Sequence, residues 1–69
     1  WPKAGTFFFK ALECFSRCRD EQNTLLSLSS LFNLNELAEV QDMYGAIARI
    51  LQRTPEEIRT IHDLWKAEA

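Results

Sequence analysis

The chain has 69 residues, of which 46% are hydrophobic and 26% charged, with a formal net charge of −2 at pH 7. That composition argues against disorder, and the charge excludes the positive field that draws a protein to nucleic acid or an anionic membrane surface. No run approaches the roughly 20 apolar residues that span a bilayer, and burial of only about 60% of the unfolded surface makes a compact helical bundle the economical fold. Trp1-Pro2 stands at the start instead of Met, so the chain is expected to be one small domain of a larger protein.

Thr6 can cap a first helix running to about Asp20. Phe7, Ala11, Cys14 and Cys18 form one stripe and Phe8, Leu12 and Phe15 the next, a broad apolar face opposite Lys10, Glu13, Arg17 and Arg19. The cysteines are expected to be small buried hydrophobes, because helical Cβ directions four residues apart suit a disulfide poorly. Phe7, Phe8 and Phe9 cannot all point inward at 100° per residue, and Phe9 is the one expected near the surface.

Asn23 or Thr24 can cap a short second helix holding Leu25, Leu28, Leu31 and Phe32, with Ser27, Ser29 and Ser30 on a small-residue face. Asn33-Leu34-Asn35 reads as a turn. The third and longest helix is expected from about Glu36 to Gln52, with Leu37, Val40, Tyr44, Ile47 and Leu51 as a continuous core seam. Gly45 within it costs about 1 kcal/mol relative to Ala and suggests close helix contact. Thr54-Pro55-Glu56-Glu57 is a complete helix start: a hydroxyl cap, a proline at the first helical position and a glutamate reaching back to the cap amide. The fourth helix runs to about Lys66 and presents Ile58, Ile61, Leu64 and Trp65. The expected fold is all-α, a compact bundle of about four short helices.

Candidates for chemistry are few. His62 is the single histidine; no cysteine or acid lies at a recognised metal-ligand spacing from it, and it reads as a surface residue. Glu56 and Glu57 are explained by capping and the helix dipole. The serines lack an elbow motif, and Gly5 and Gly45 cannot form a phosphate cradle. The sequence therefore predicts no enzyme, no metal and no cofactor.

Residues 47–59, Ile47-Ala48-Arg49-Ile50-Leu51-Gln52-Arg53-Thr54-Pro55-Glu56-Glu57-Ile58-Arg59, resemble a helix-turn-helix, with Ile47, Ala48, Leu51, Ile58 and Ile61 at its apolar positions. Gln52 stands where that unit prefers a turn glycine. Glu56, Glu57 and Asp63 on the would-be recognition helix would repel phosphate. Thr54-Pro55-Glu56-Glu57-Ile58-Arg59, preceded by Ile47-Ala48-Arg49-Ile50-Leu51, also resembles the carboxy-terminal half of the S-phase kinase-associated (SKP) adaptor family, which links F-box proteins to cullin in ubiquitin ligases. Thr24-Leu25-Leu26, Ser29-Ser30-Leu31-Phe32 and Phe9-Lys10-Ala11-Leu12-Glu13 extend that similarity upstream. The resemblance implies an F-box-binding side made by Ile58, Arg59 and the helix through Ile61 and Trp65, and a cullin side at Phe32.

The expected function is a non-enzymatic protein-interaction module, an adaptor or assembly domain; the alternative is a DNA-binding helix-turn-helix. Phe9, Phe32, Ile58, Arg59, Ile61 and Trp65 are the expected partner-binding residues, with Tyr44 a further aromatic anchor on the core seam, since aromatics dominate such interfaces. The partner would be another protein, a helical segment or an F-box-like chain, or a second copy; a membrane is not expected. The compartment expected from these features is intracellular.

Overall fold

The computed structural model describes residues 1–68, in which four helices follow one another through short connectors: α1 (Lys3–Arg17), α2 (Glu21–Leu37), α3 (Met43–Leu51) and α4 (Pro55–Glu68). The class is the expected one, but several boundaries differ. α1 begins at Lys3, ahead of Thr6: Pro2 is extended (φ −65°, ψ 158°) and its carbonyl accepts the Thr6 N–H at 3.1 Å. Thr6 thus lies in the first turn and is not its cap.

The α1–α2 junction is built from two interlocked end motifs. Arg19 is left-handed (φ 58°); its N–H donates to the Ser16 carbonyl at 3.2 Å and that of Asp20 to the Phe15 carbonyl at 3.0 Å, the paired bonds of a Schellman turn. Asp20 then caps α2, accepting the Asn23 N–H at 3.2 Å and its side-chain amide at 2.7 Å. The cap is therefore Asp20, upstream of the expected Asn23 or Thr24. So tight a connector makes α1 and α2 antiparallel neighbours.

The expected break at Asn33-Leu34-Asn35 lies inside α2, and the seam from Leu37 to Leu51 is not one helix. The chain leaves α2 after Leu37, with Ala38 extended (φ −151°, ψ 109°), and re-enters a helix after Asp42, which is left-handed (φ 58°). No glycine or proline marks residues 38–42. The Asn35 carboxamide instead accepts the Val40 N–H at 2.8 Å, rewarding the departure from helix, and aspartate tolerates the left-handed region better than most residues. α3 is consequently the shortest helix, and Leu37 is solvent-exposed.

At α4 the predicted capping box is present. The Glu57 N–H donates to the Thr54 hydroxyl at 3.2 Å, the Thr54 N–H to the Glu57 carboxylate at 3.2 Å, and Arg53 adds an ion pair at 3.1 Å. The turn before it passes through Gln52 in the left-handed conformation (φ 56°), with the Arg53 N–H on the Ala48 carbonyl at 2.9 Å.

α1 packs on α2 and α3, and α3 on α4. Leu12, Leu28, Leu31, Phe32, Val40, Met43, Ile47 and Ile58 form the core, and the radius of gyration of 10.9 Å matches the about 11 Å of a compact chain this long. Gly5 is where helices approach closely: a Cβ there would stand 3.0 Å from Leu34 and 3.4 Å from Trp1. Gly45, expected to mark such a contact, has the movable Asp42 carboxylate as its nearest neighbour and not another helix. Trp1 closes this end, donating from its indole to the Gln41 carbonyl at 3.0 Å and meeting Phe9 edge-on.

Three outcomes follow for stability. Gly5→Val forces Leu34 and Trp1 aside and should cost about 1–3 kcal/mol in urea unfolding, whereas Gln52→Gly removes a left-handed side chain and should gain about 1 kcal/mol. The Asn23 side chain and then its N–H hold the Asp20 carboxyl below its ordinary value, and the Thr54 amide and then Arg53 do the same for Glu57. A depressed carboxyl contributes stability above its unfolded value and loses it as the pH falls through the folded one. The thermal midpoint should therefore drop on acidification below about pH 4.5, and Asp20→Asn with Glu57→Gln should flatten that drop.

Candidate docking surface

Six residues were expected to bind a partner, and the fold separates them. Phe32 is 1% exposed and Ile58 is fully buried, so both side chains belong to the core. Phe9, Ile61 and Trp65 are half-buried against that core, and Arg59 is exposed on α4. On α4, Leu64 is the large apolar side chain turned outward.

Phe32 and Trp65 instead enclose His62. The imidazole, expected at the surface, is 2% exposed and stacks on Phe32 with centroids 4.4 Å apart and planes 3° from parallel. Trp65 and Tyr44 flank it at 5.6 Å each. The Tyr44 hydroxyl bonds Nδ1, which accepts when the ring proton is on Nε2. Nε2 stands 2.9 Å from a Glu36 carboxylate oxygen but lacks hydrogen-bond alignment, so that contact is electrostatic proximity. Lys66 reaches the same oxygen at 3.1 Å, and this bond raises the Lys66 pKa. Hydroxyl and carboxylate thus flank the imidazole at its two ring nitrogens. The ring is nevertheless sealed from solvent, and the cluster's evident work is to pin α4 to α2 and α3.

The free surface lies elsewhere. α1 turns Leu12 and Gly5 inward, and Phe8 and Phe9 pack against the core. The stripe of Phe7, Cys14 and Cys18 therefore faces out, contrary to its expected burial, and both thiols are exposed. Phe7, at 69% exposure, is the phenylalanine left to solvent in place of Phe9. A groove opens between α1 and α2, with Phe7, Phe8 and Phe15 on one wall, Leu26 on the other, and Ala11, Ser27 and Ser30 among its lining. Leu26 is 58% exposed and Leu37, on the same side of α2, 79%. A floor of small residues between large apolar walls fits a side chain inserted from another helix.

Sequence reasoning overlooked Phe7 and Leu26 as surface anchors. The signal available was Lys3, Lys10 and Arg17: with Phe7 and Cys14 they follow spacings of four and three, so they share one stripe. A stripe that alternates basic and apolar residues cannot be the core-facing one.

Among the described residues no group of His, Cys, Asp and Glu is placed to hold a metal ion, and no helix is long and apolar enough to cross a membrane. Comparison with protein-family models, curated proteins and solved structures gave no match.

The buried cluster generates a stability test. Tyr44→Phe leaves Nδ1 of His62 without its partner and should cost about 1–3 kcal/mol; His62→Ala also removes the stack on Phe32 and should cost about 2–5 kcal/mol. Urea unfolding followed by circular dichroism measures both, and unchanged midpoints would show that the cluster does not hold α4.

Proposed function

We propose that the chain is a non-enzymatic protein-interaction module that receives a helical segment of another protein between α1 and α2. The observation that carries this reading is the groove, where Phe7 and Leu26 remain largely in water over small residues. Fully burying each such side chain stabilises a complex by about 1.5–3 kcal/mol, and helix-in-groove docking uses anchors of this kind. A reducing, intracellular setting fits two exposed free thiols.

In an adaptor of the S-phase kinase-associated kind, an F-box-like helix would meet the outer side of α4. Arg59 and Leu64, with the exposed edges of Ile61 and Trp65, would supply the contacts there. The helix-turn-helix alternative gains from the left-handed Gln52, the conformation its turn glycine would adopt. It loses more from Glu56, Glu57 and Asp63, all exposed on α4, because phosphate attraction supplies most non-specific DNA affinity.

Photo-crosslinking amino acids at positions 7, 26 and 59, used in cell extract, test the module. Discrete adducts of defined mass from position 7 or 26 are expected. Their absence at all three positions, together with salt-sensitive binding to duplex DNA that Arg59→Glu abolishes, would replace this reading with the alternative.

A further inference from the structure

The groove carries an electrostatic asymmetry that the whole chain, at net charge −2, does not share. Lys3, Phe7 and Lys10 recur at steps of four and three along α1 and are all exposed, so two cations flank the Phe7 wall of the groove, while Arg17, further along the stripe, lines the cleft between α1 and α3 with Glu13 and Arg49. Lys3 and Lys10 make no ion pair among the described residues, and Arg17 has only Glu13 at 3.7 Å on the adjoining face. The α2 side offers Gln22, Leu26, Ser30, Asn33 and Leu37, with no charge of either sign. Lys3 and Lys10 are seven residues apart, about 10.5 Å of helix rise, which is the repeat of residues seven apart on a neighbouring aligned helix.

Resting on the interaction-module reading, we propose that the occupant of the groove is an amphipathic helix of a partner protein with acidic residues along one flank. Its leucine- or phenylalanine-sized side chains enter over Ala11, Ser27 and Ser30, while carboxylates at heptad spacing meet Lys3 and Lys10. A second copy of this chain docked with α1 on α1 would set the basic stripe against its twin, where like charges repel, and one docked with α1 on α2 would leave the cations without a carboxylate partner, since that side of α2 carries no charge.

Two synthetic helical peptides with the same leucine face, one flanked by glutamates and one by lysines, test this with the intact chain by fluorescence anisotropy. The glutamate peptide should bind about fivefold more tightly than the lysine peptide, the sum of two exposed ion pairs, with the advantage shrinking in 1 M salt, where the Debye length falls to about 3 Å. Lys10→Glu should weaken the glutamate peptide and strengthen the lysine one, a reversal that misfolding cannot produce, and Phe7→Asp should abolish both. Equal binding of the two peptides, or binding indifferent to Lys10→Glu, would overturn the proposal. So would partition onto phosphatidylserine vesicles that the glutamate peptide does not displace, or concentration-dependent self-association lost in Phe7→Asp. Crosslinked adducts at positions 7 and 26 alongside any of these outcomes would leave the module standing and remove only its acidic partner.

Discussion

The stack of His62 on Phe32 is the contact that ties α4 to α2, and with the packing of α1 on α3 it fixes how the two helix pairs meet. α1 and α2 are held together by a tight hairpin and α3 and α4 by a short capped turn, so each pair is largely a local product of sequence. Joining the pairs needs long-range contacts. Phe32 on α2 receives His62 and Trp65 from α4, Tyr44 on α3 bonds the imidazole, and Glu36 brings α2 to both His62 and Lys66. A histidine suits this position because its ring packs flat like an aromatic while a nitrogen takes a hydrogen bond from a third helix, whereas an apolar residue would leave the Tyr44 hydroxyl unpaired.

With Phe32 and Ile58 committed to the core, the surface available to a partner shifts from the α4 side toward α1 and α2. Chemistry is constrained by the same packing. The Tyr44 hydroxyl and the Glu36 carboxylate flank an imidazole that is 2% exposed, so the ring's polar atoms face protein and not solvent. The core leaves other side chains to solvent: Phe7 and Leu26 over small residues, and the cations on the Phe7 stripe of α1. Their coexistence on one face gives the interaction reading both an apolar driving force and a source of selectivity.

The sequence was most legible where the deciding interactions are local. Thr54 to Glu57 specify a capping box because every partner lies within three residues, and the structure realises it atom for atom. The helical class was legible for the same reason, from apolar spacing. The end of α2 was not: Leu37, Val40, Tyr44 and Ile47 keep a three- and four-residue rhythm across a real break, since Val40 is buried from a connector and not from a helix. Only the Asn35 side chain on the Val40 amide shows why the chain departs there, and asparagine has many alternative partners that sequence cannot rank.

Inside and outside were the least legible distinction. α1 has two adjacent apolar stripes, and either could face the core; Gly5 decides, because a helix can approach Leu34 closely only where no Cβ intervenes, and that turns Leu12 inward and Phe7 outward. His62 gives no sequence sign of burial, since its hydrogen-bond partner lies 18 residues away on another helix. By itself, then, the sequence determined the all-helical class, the capping box of α4 and the charge pattern, because these depend on neighbours within a turn or two. The tertiary structure decided which stripe is core and which faces solvent, because that choice depends on which helix is near, and nearness between distant segments is set by packing and not by periodicity.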